Sequence, residues 1–274
     1  MSWSSVARRV AAQGVKATAA GLDTVRRPQA GVVVLLYHRV GGETTSAVDL
    51  PLELFEQQMA EIAGRVTDID AALDALSASA SPIAPDVVVT FDDGTADFAE
   101  YALPVLKKYR VPAVVYVATD FIEAQKDFPG GATPLSWDAL RDAVSTGLVT
   151  IGSHTNTHLL LDRVDGPTAA GELDRSIDLI GERLSVPVAH FAYPKAQAPS
   201  AAADAEVRRR FRSAALAGTT ANRYGATDPY RLARSPIQVA DGMRWFRRKA
   251  AGGMAAEDGL RRIANRGRYA SAVT

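Results

Sequence analysis

The chain has 274 residues, 47% of them apolar, no cysteine, and 31 basic side chains against 31 acidic ones. That size suits one large α/β domain or two small ones with a sizeable core, and the lack of cysteine excludes disulfides and thiolate metal sites, so a metal would have to be held by His, Asp or Glu. The zero net charge is uneven: residues 1–30 carry five Arg/Lys against Asp23, residues 241–274 carry eight against Asp241, Glu257 and Asp258, and the middle is left at −9.

In chain order, the first thirty residues have no unbroken apolar stretch, being cut by Arg8, Arg9, Gln13 and Lys16. They do not read as a secretory leader, and no run reaches the ~20 apolar residues of a membrane span. Val6, Val10, Ala17 and Val25 could line one side of a helix. The expectation is a basic, helical extension over 1–30, a cytoplasmic protein, peripheral contact with anionic lipid through the basic ends, and no nucleic acid partner. Solvated tails are the plainer reading of the same charges.

Five apolar, β-branched runs then read as strands buried on both faces: Val32–Tyr37, Val87–Phe91, Ala113–Ala118, Val149–Gly152 and His190–Tyr193. Ser213–Ala217 and Pro236–Val239 are weaker candidates. Between them, Leu54–Ala63 puts Leu54, Phe55, Gln58, Met59 and Ile62 at helical spacing. Thr95–Tyr109 is helical in pattern but contains Pro104, which kinks or splits it. Trp137–Thr146 follows Ser136, a good N-cap, and Thr168–Leu184 aligns Leu173, Ile177, Ile180 and Leu184. Residues 119–135 read as a long functional loop; Ala78–Ala84 and Ala196–Ala205 read as surface connections. Strands alternating with helices predict a parallel α/β barrel or open sheet.

Reactive residues fall just past the ends of these strands. His38 follows the first run, Asp92 and Asp93 the second, His154 and His158 the fourth, Pro194 and Lys195 the fifth. In an α/β barrel that end of the strands carries the site. Asp92 and Asp93 are adjacent, so they cannot point the same way; one could bind a metal while the other takes a proton from water. Gly94 permits the tight turn that exposes them. His154 and His158, four residues apart, can meet one ion if the segment turns helically after its strand. With Asp93 they would make a two-histidine, one-carboxylate site with open positions.

Together, Thr90-Phe91-Asp92-Asp93 and His154-Thr155-Asn156-Thr157-His158 resemble the TFDD and H-[ST]-x-x-H motifs of the polysaccharide deacetylases, the NodB-homology or carbohydrate esterase family four enzymes. The resemblance covers roughly residues 31–240 as a catalytic domain, with 241–274 a basic, helical C-terminal extension. It implies a distorted (β/α) barrel of about seven strands that removes N-acetyl groups from a sugar or glycan. It implies Asp92 as general base, Asp93, His154 and His158 as ligands of one divalent ion, with Zn²⁺ expected and Co²⁺, Ni²⁺ or Mn²⁺ also accepted by such donors. The third motif departs from the family: Phe191-Ala192-Tyr193-Pro194-Lys195-Ala196 lacks its Arg and Gly, and Lys195 replaces a Tyr. The resemblance implies an oxyanion or substrate role for Tyr193, Pro194 and the Lys195 N–H. Arg234 is the candidate for the missing arginine, against the plainer reading of a surface arginine. Leu36-Tyr37-His38 matches the family's last motif, placed at the N-terminus as in circularly permuted members, and implies His38 as general acid; His190 is structural. Two other readings stay open: a metal amidohydrolase acting on a small non-sugar amide, and a non-catalytic glycan-binding module.

Overall fold

The computed structural model describes residues 14–23, 30–78 and 86–257. Its body is a curled parallel sheet. The strands, in chain order, are β1 (Gly31–Tyr37), the short pair β2 (Arg39–Gly41) and β3 (Asp49–Pro51), β4 (Val87–Phe91), β5 (Ala113–Val117), β6 (Val149–Ser153), β7 (His190–Ala192), β8 (Ser213–Ala215), β9 (Asn222–Arg223) and β10 (Arg234–Pro236). In space they run β10-β1-β4-β5-β6-β7-β8, with β9 antiparallel on β1 and β2–β3 a separate ribbon. Leu232, just before β10, bridges Ala215 of β8, and its N–H reaches the Ala214 carbonyl at 3.0 Å. The two edges thus curl toward each other into the expected distorted seven-stranded barrel.

β1, β4 and β5 are buried at every position, which is what a sheet covered on both faces selects. Period-two alternation sorts their side chains. Val32, Val34, Val88, Val114 and Tyr116 fill the barrel, with Ala192, Ala215 and Leu232 from the far wall. Val33, Leu35, Tyr37, Val89, Phe91, Val115 and Val117 face the outer helices. Each such Val, Leu or Phe contributes about 1.5–3 kcal/mol when fully buried. Gly152 of β6 leaves room for the interior Tyr116: a Cβ there would come within 2.5 Å of its ring.

Helix α1 spans residues 14–23. α2 (Leu52–Ile62) buries Phe55, Gln58, Met59 and Ile62 of the set its spacing predicts, with Leu54 half-buried. α3 (Ile69–Ser77) plugs the barrel bottom with Ile69, Ala72, Leu73 and Leu76. The helix expected over 95–109 is indeed divided. A π-helical turn at Phe98–Ala102 runs into α4 (Leu103–Tyr109), with Pro104 in the first turn of α4 where its missing N–H costs least. α5 (Thr119–Glu123) lies inside the stretch read as a loop. α6 (Trp137–Ser145) is capped by Ser136, whose hydroxyl accepts from Ala139 N–H. α7 (Gly166–Leu184) starts at an Asp165 cap and ends at Ser185 in the left-handed region, φ 57°.

Some elements differ from the sequence reading. α8 (Ala201–Arg210) occupies a stretch read as a surface connection; only Ala203 and Val207 are buried, too few to make an amphipathic signal. The last strand begins at Arg234, two residues before the expected Pro236, because its Arg and Ser are polar yet buried. Residues 79–84 of the other expected connection, Ala78–Ala84, lie outside the described residues.

α9 (Gly242–Ala250) leans on α2, with Phe246 and Ala250 in the main core. Its Trp245 joins Ala19, Ala20 and Met254 in a small cluster. Beside that cluster, Lys16 and Lys249 are fully buried with Asp241 and Glu257. Lys16 bonds Asp241 and, at 2.9 Å, Glu257; Lys249 lies 3.1 Å from Asp241 and 3.3 Å from Glu257. Two of the end cations expected to face outward are therefore neutralised inside. Residues 1–13, 24–29 and 258–274 of the two predicted extensions lie outside the described residues. Among the described residues no helix is long and apolar enough to cross a membrane.

Candidate active site

At the ends of β4 and β6 the chain must expose two carboxylates and two imidazoles at once, and it does so by leaving regular geometry. Asp92 keeps the strand's alternation and turns into the barrel, 4% exposed. Asp93 adopts φ 72°, a left-handed conformation unfavourable for most side chains, which swings its carboxylate toward β6. Gly94 follows at φ 90°, where a Cβ would press on Val117 at 3.0 Å. After β6, the 154–158 segment is not helical as its spacing suggested. Thr155 at φ 65° and His158 at φ 61° fold it into an irregular turn instead. The imidazoles still converge, with ring centroids 5.0 Å apart.

Asp93 Oδ1 lies 3.6 Å from His154 Nε2 and 3.5 Å from His158 Nε2. The three donor atoms all fall within 4.8 Å of one another. His154 Nδ1 is 2.7 Å from the Ala192 carbonyl. A carbonyl can only accept, so the proton sits on Nδ1 and the Nε2 lone pair is left facing the cluster. Burial, and then the neighbouring His154, pull the His158 pKa down to about 4 against the opposing Asp93 and Asp92. His158 is neutral at pH 7, the form that donates a lone pair. These three residues fit a divalent cation in donor type, protonation and spacing.

Arg234, read in the sequence as a partner for the base or a plain surface residue, is 0% exposed. It grips Asp92 bidentately, Nη1 to Oδ1 at 2.5 Å and Nη2 to Oδ2 at 2.8 Å. Its Nε donates to the Leu216 carbonyl at 3.1 Å, Nη1 lies 3.4 Å from Thr90 Oγ1, and the guanidinium stands 5.3 Å over the Tyr116 ring. Burial pushes the Asp92 carboxyl up, but Arg234 and then His154 and His38 outweigh it and bring the pKa down to about 2. Asp92 Oδ2 is 3.9 Å from His154 Nε2. Thr90 and Tyr116 were not singled out in the sequence; their inward positions on β4 and β5, beneath Asp92, are the signal that marks them.

His38 follows β1, and the pairing of Tyr37 with Phe91 sets it beside Asp92, whose N–H donates to the Tyr37 carbonyl at 3.1 Å. Its Nδ1 is buried without a hydrogen-bond partner. His190 sits at the opposite end of the barrel, its Nδ1 2.9 Å from Ser213 Oγ. In the third segment, Pro194 is buried and Lys195, at φ 52°, is exposed on the rim. Its charge bears on His158. Tyr193 departs from expectation: two-residue alternation from the inward Ala192 turns it to the outer layer, among Phe191, Phe211 and Val207. Its hydroxyl lies 3.2 Å from both Asp204 and Arg231, so the phenol is not offered to substrate. A groove of about 960 Å³ between residues 42–51 and the start of α9 contains none of these site residues.

A held carboxylate, a histidine with an open nitrogen and a three-donor cluster, gathered at the C-terminal mouth of a parallel barrel, define a hydrolase. Residues 80–214 match the family model for polysaccharide deacetylase, so the chain carries a hydrolase domain of that family. No curated protein matches it in sequence. Among solved structures, IcaB from Ammonifex degensii is similar at a TM-score of 0.70 and 24% identity, covering 82% of this chain and 99% of that one. The Streptococcus pyogenes deacetylase PplD, in complex with acetate, gives 0.67 and 21%, covering 78% and 97%. A de-N-acetylase from Aggregatibacter actinomycetemcomitans gives 0.65 and 20%, covering 80% and 99%. At these identities the likenesses establish a shared fold.

Proposed function

We propose that the protein removes N-acetyl groups from a sugar or glycan with the help of one divalent cation held by Asp93, His154 and His158. The observation that carries the reading is the Asp92–Arg234 pair beside that triad. A carboxylate kept ionised and aimed by a buried arginine, next to three neutral or anionic donors, is what amide hydrolysis needs. The similar structures, among them a deacetylase solved with acetate and a de-N-acetylase, support the same substrate class.

When bound, the cation supplies Lewis acidity toward the acetyl carbonyl and makes water a better nucleophile at neutral pH. Asp92 accepts the proton of the attacking water, with Arg234 fixing both of its oxygens. The Lys195 backbone N–H is assigned to the developing oxyanion by the resemblance of its segment to the family's third motif. His38 gives a proton to the departing sugar amine, which leaves poorly as an anion. The bond that breaks is the amide C–N; the products are acetate and the free amine.

The test is acetate release from N-acetylglucosamine oligomers with Zn²⁺ or Co²⁺ added, alongside Asp92→Asn and His154→Ala. Asp92→Asn should lose about 10²–10⁴-fold in rate while still binding the cation; His154→Ala should lose both. An Asp92→Asn protein with the wild-type rate would remove Asp92 as the base.

A further inference from the structure

The turn that carries His154 and His158 contains two residues, Thr155 and His158, in the left-handed region, and a β-branched threonine takes that conformation reluctantly. Such a turn needs outside support. One side is held by α5: Asp120 N–H donates to the Asn156 carbonyl at 2.8 Å, and Thr119 Oγ1 donates to Asn156 Oδ1 at 2.9 Å. On the other side, one residue of α7 holds the middle of the turn. Glu172, half-buried on α7, accepts the Asn156 N–H at 3.1 Å and the Thr157 N–H at 2.8 Å on one oxygen, and the Thr157 hydroxyl at 2.9 Å on the other. These are two consecutive amides and one side chain of the three residues between His154 and His158.

We propose that Glu172 is a positioning residue for the cation site, acting through the backbone of the 154–158 turn; this rests on the metal reading above. Glu172 touches neither imidazole. It fixes the peptides on the chain between them, and so sets where His158 Nε2 lies relative to His154 Nε2 and Asp93. Only a carboxylate can accept on both oxygens at once; an amide keeps one accepting oxygen, and alanine keeps none. Helix α7 does not need these bonds to dock. Leu173, Ile180 and Leu184 bury its inner face, and Ser176 bonds Ser153 at 2.8 Å. Loss of Glu172 therefore loosens the turn and leaves the helix in place.

The experiment is calorimetric titration of metal-free wild type, Glu172→Ala, Glu172→Gln and Thr157→Ala with Zn²⁺, with thermal melts of the metal-free proteins. Glu172→Ala should bind Zn²⁺ about 10–100-fold more weakly, the scale on which outer partners of a metal site act. Glu172→Gln should fall between it and wild type, and the metal-free Tm values should stay together. Thr157→Ala, which removes only the exposed hydroxyl bond, should weaken binding by less than Glu172→Ala. It carries the test if Glu172→Ala does not fold, and unchanged binding in it would then count against the proposal. Glu172→Ala binding like wild type would overturn the proposal, as would equal losses in Ala and Gln with a parallel fall in metal-free Tm. Wild type taking up no Zn²⁺ would sink the metal reading itself and this inference with it. Wild-type binding unchanged by Glu172→Ala would sink only the inference.

Discussion

Two clusters of buried charge among the described residues differ in what they are buried against. Asp92 and Arg234 stand at the barrel mouth as one bidentate pair, with His154 3.9 Å from Asp92 and His38 close by. Lys16, Asp241, Lys249 and Glu257 lie beside the barrel as two cations and two anions, joining α1, α9 and residue 257 to one another. Burying either set costs desolvation that an apolar cluster of the same volume would avoid. At the mouth the charge is kept because a base must be ionised and aimed. At the flank none of the four is a site residue, and the quartet ties together residues 16, 241, 249 and 257. Burial and ion pairing alone do not mark function; the company of an open imidazole and a donor triad does.

The largest effects should come from breaking the mouth pair. In Arg234→Met, Asp92 becomes a buried carboxylate without its cation, which destabilises by about 3–5 kcal/mol and slows acetate release sharply. The pH response should also invert. In wild type Asp92 titrates at about 2, below its ordinary 3.8. Its stabilising contribution is therefore fully present above about pH 4 and is lost as pH falls through about 2. In the variant burial is no longer outweighed by Arg234 and raises the pKa above 3.8. The carboxylate then costs stability as pH rises past that value. Urea denaturation between pH 3 and pH 7 should show wild type holding or gaining stability and Arg234→Met losing it, with the acidic limb of kcat/KM moved upward. Equal slopes would mean that Arg234 does not govern Asp92.

Breaking the flank set should separate stability from rate. Lys16→Met leaves Asp241 and Glu257 sharing Lys249, and should cost about 3–5 kcal/mol by the same rule for a broken buried pair. Well below its melting temperature, the variant should release acetate at the wild-type rate per folded molecule. A fall in kcat as large as that of Arg234→Met would show that the quartet supports the mouth and would erase the contrast.

What was legible in the sequence follows the same contrast. Asp92, Asp93, His154 and His158 come in two short segments directly after apolar strands, so local pattern located them. The sequence could not reveal that the second segment is an irregular turn, because Thr155 and His158 give no sign of φ > 0. Arg234 was reachable only by asking where the base's missing partner could come from; its strand, Arg-Ser-Pro, carries no apolar run. The outward turn of the Tyr193 phenol was legible in the alternation from Ala192 but was not drawn from it. Glu172 and the buried quartet left no trace: Lys16 meets its partners only across most of the chain, and a half-exposed glutamate and four charges in polar stretches look like solvated surface. The three missed helices, α3, α5 and α8, are short.

The smallest expected effect concerns a third kind of buried ionisable group. His190 is 1% exposed at the barrel end away from the mouth, with Ser213 on Nδ1 and Asp70 3.5 Å from Nε2. Burial lowers its pKa from 6.5, with Asp70 opposing. The folded state thus takes up a proton less readily than the unfolded chain. His190 contributes no pH dependence well above 6.5 and weakens the fold as pH drops below that value, by at most about 1.4 kcal/mol per pH unit. His190→Gln cannot titrate. It should cost about 1 kcal/mol at pH 7.5 from the altered hydrogen bond, leave acetate release unchanged, and lose less stability than wild type between pH 7.5 and pH 5. Melting curves at the two pH values, with the rate measured at the higher one, separate the outcomes. An unchanged rate with a flatter acid response would place His190 with the flank quartet, as buried charge chemistry that the fold carries apart from the reaction. A rate loss comparable to that of His38→Ala would mean that distance from the mouth does not divide structural from catalytic groups in this barrel.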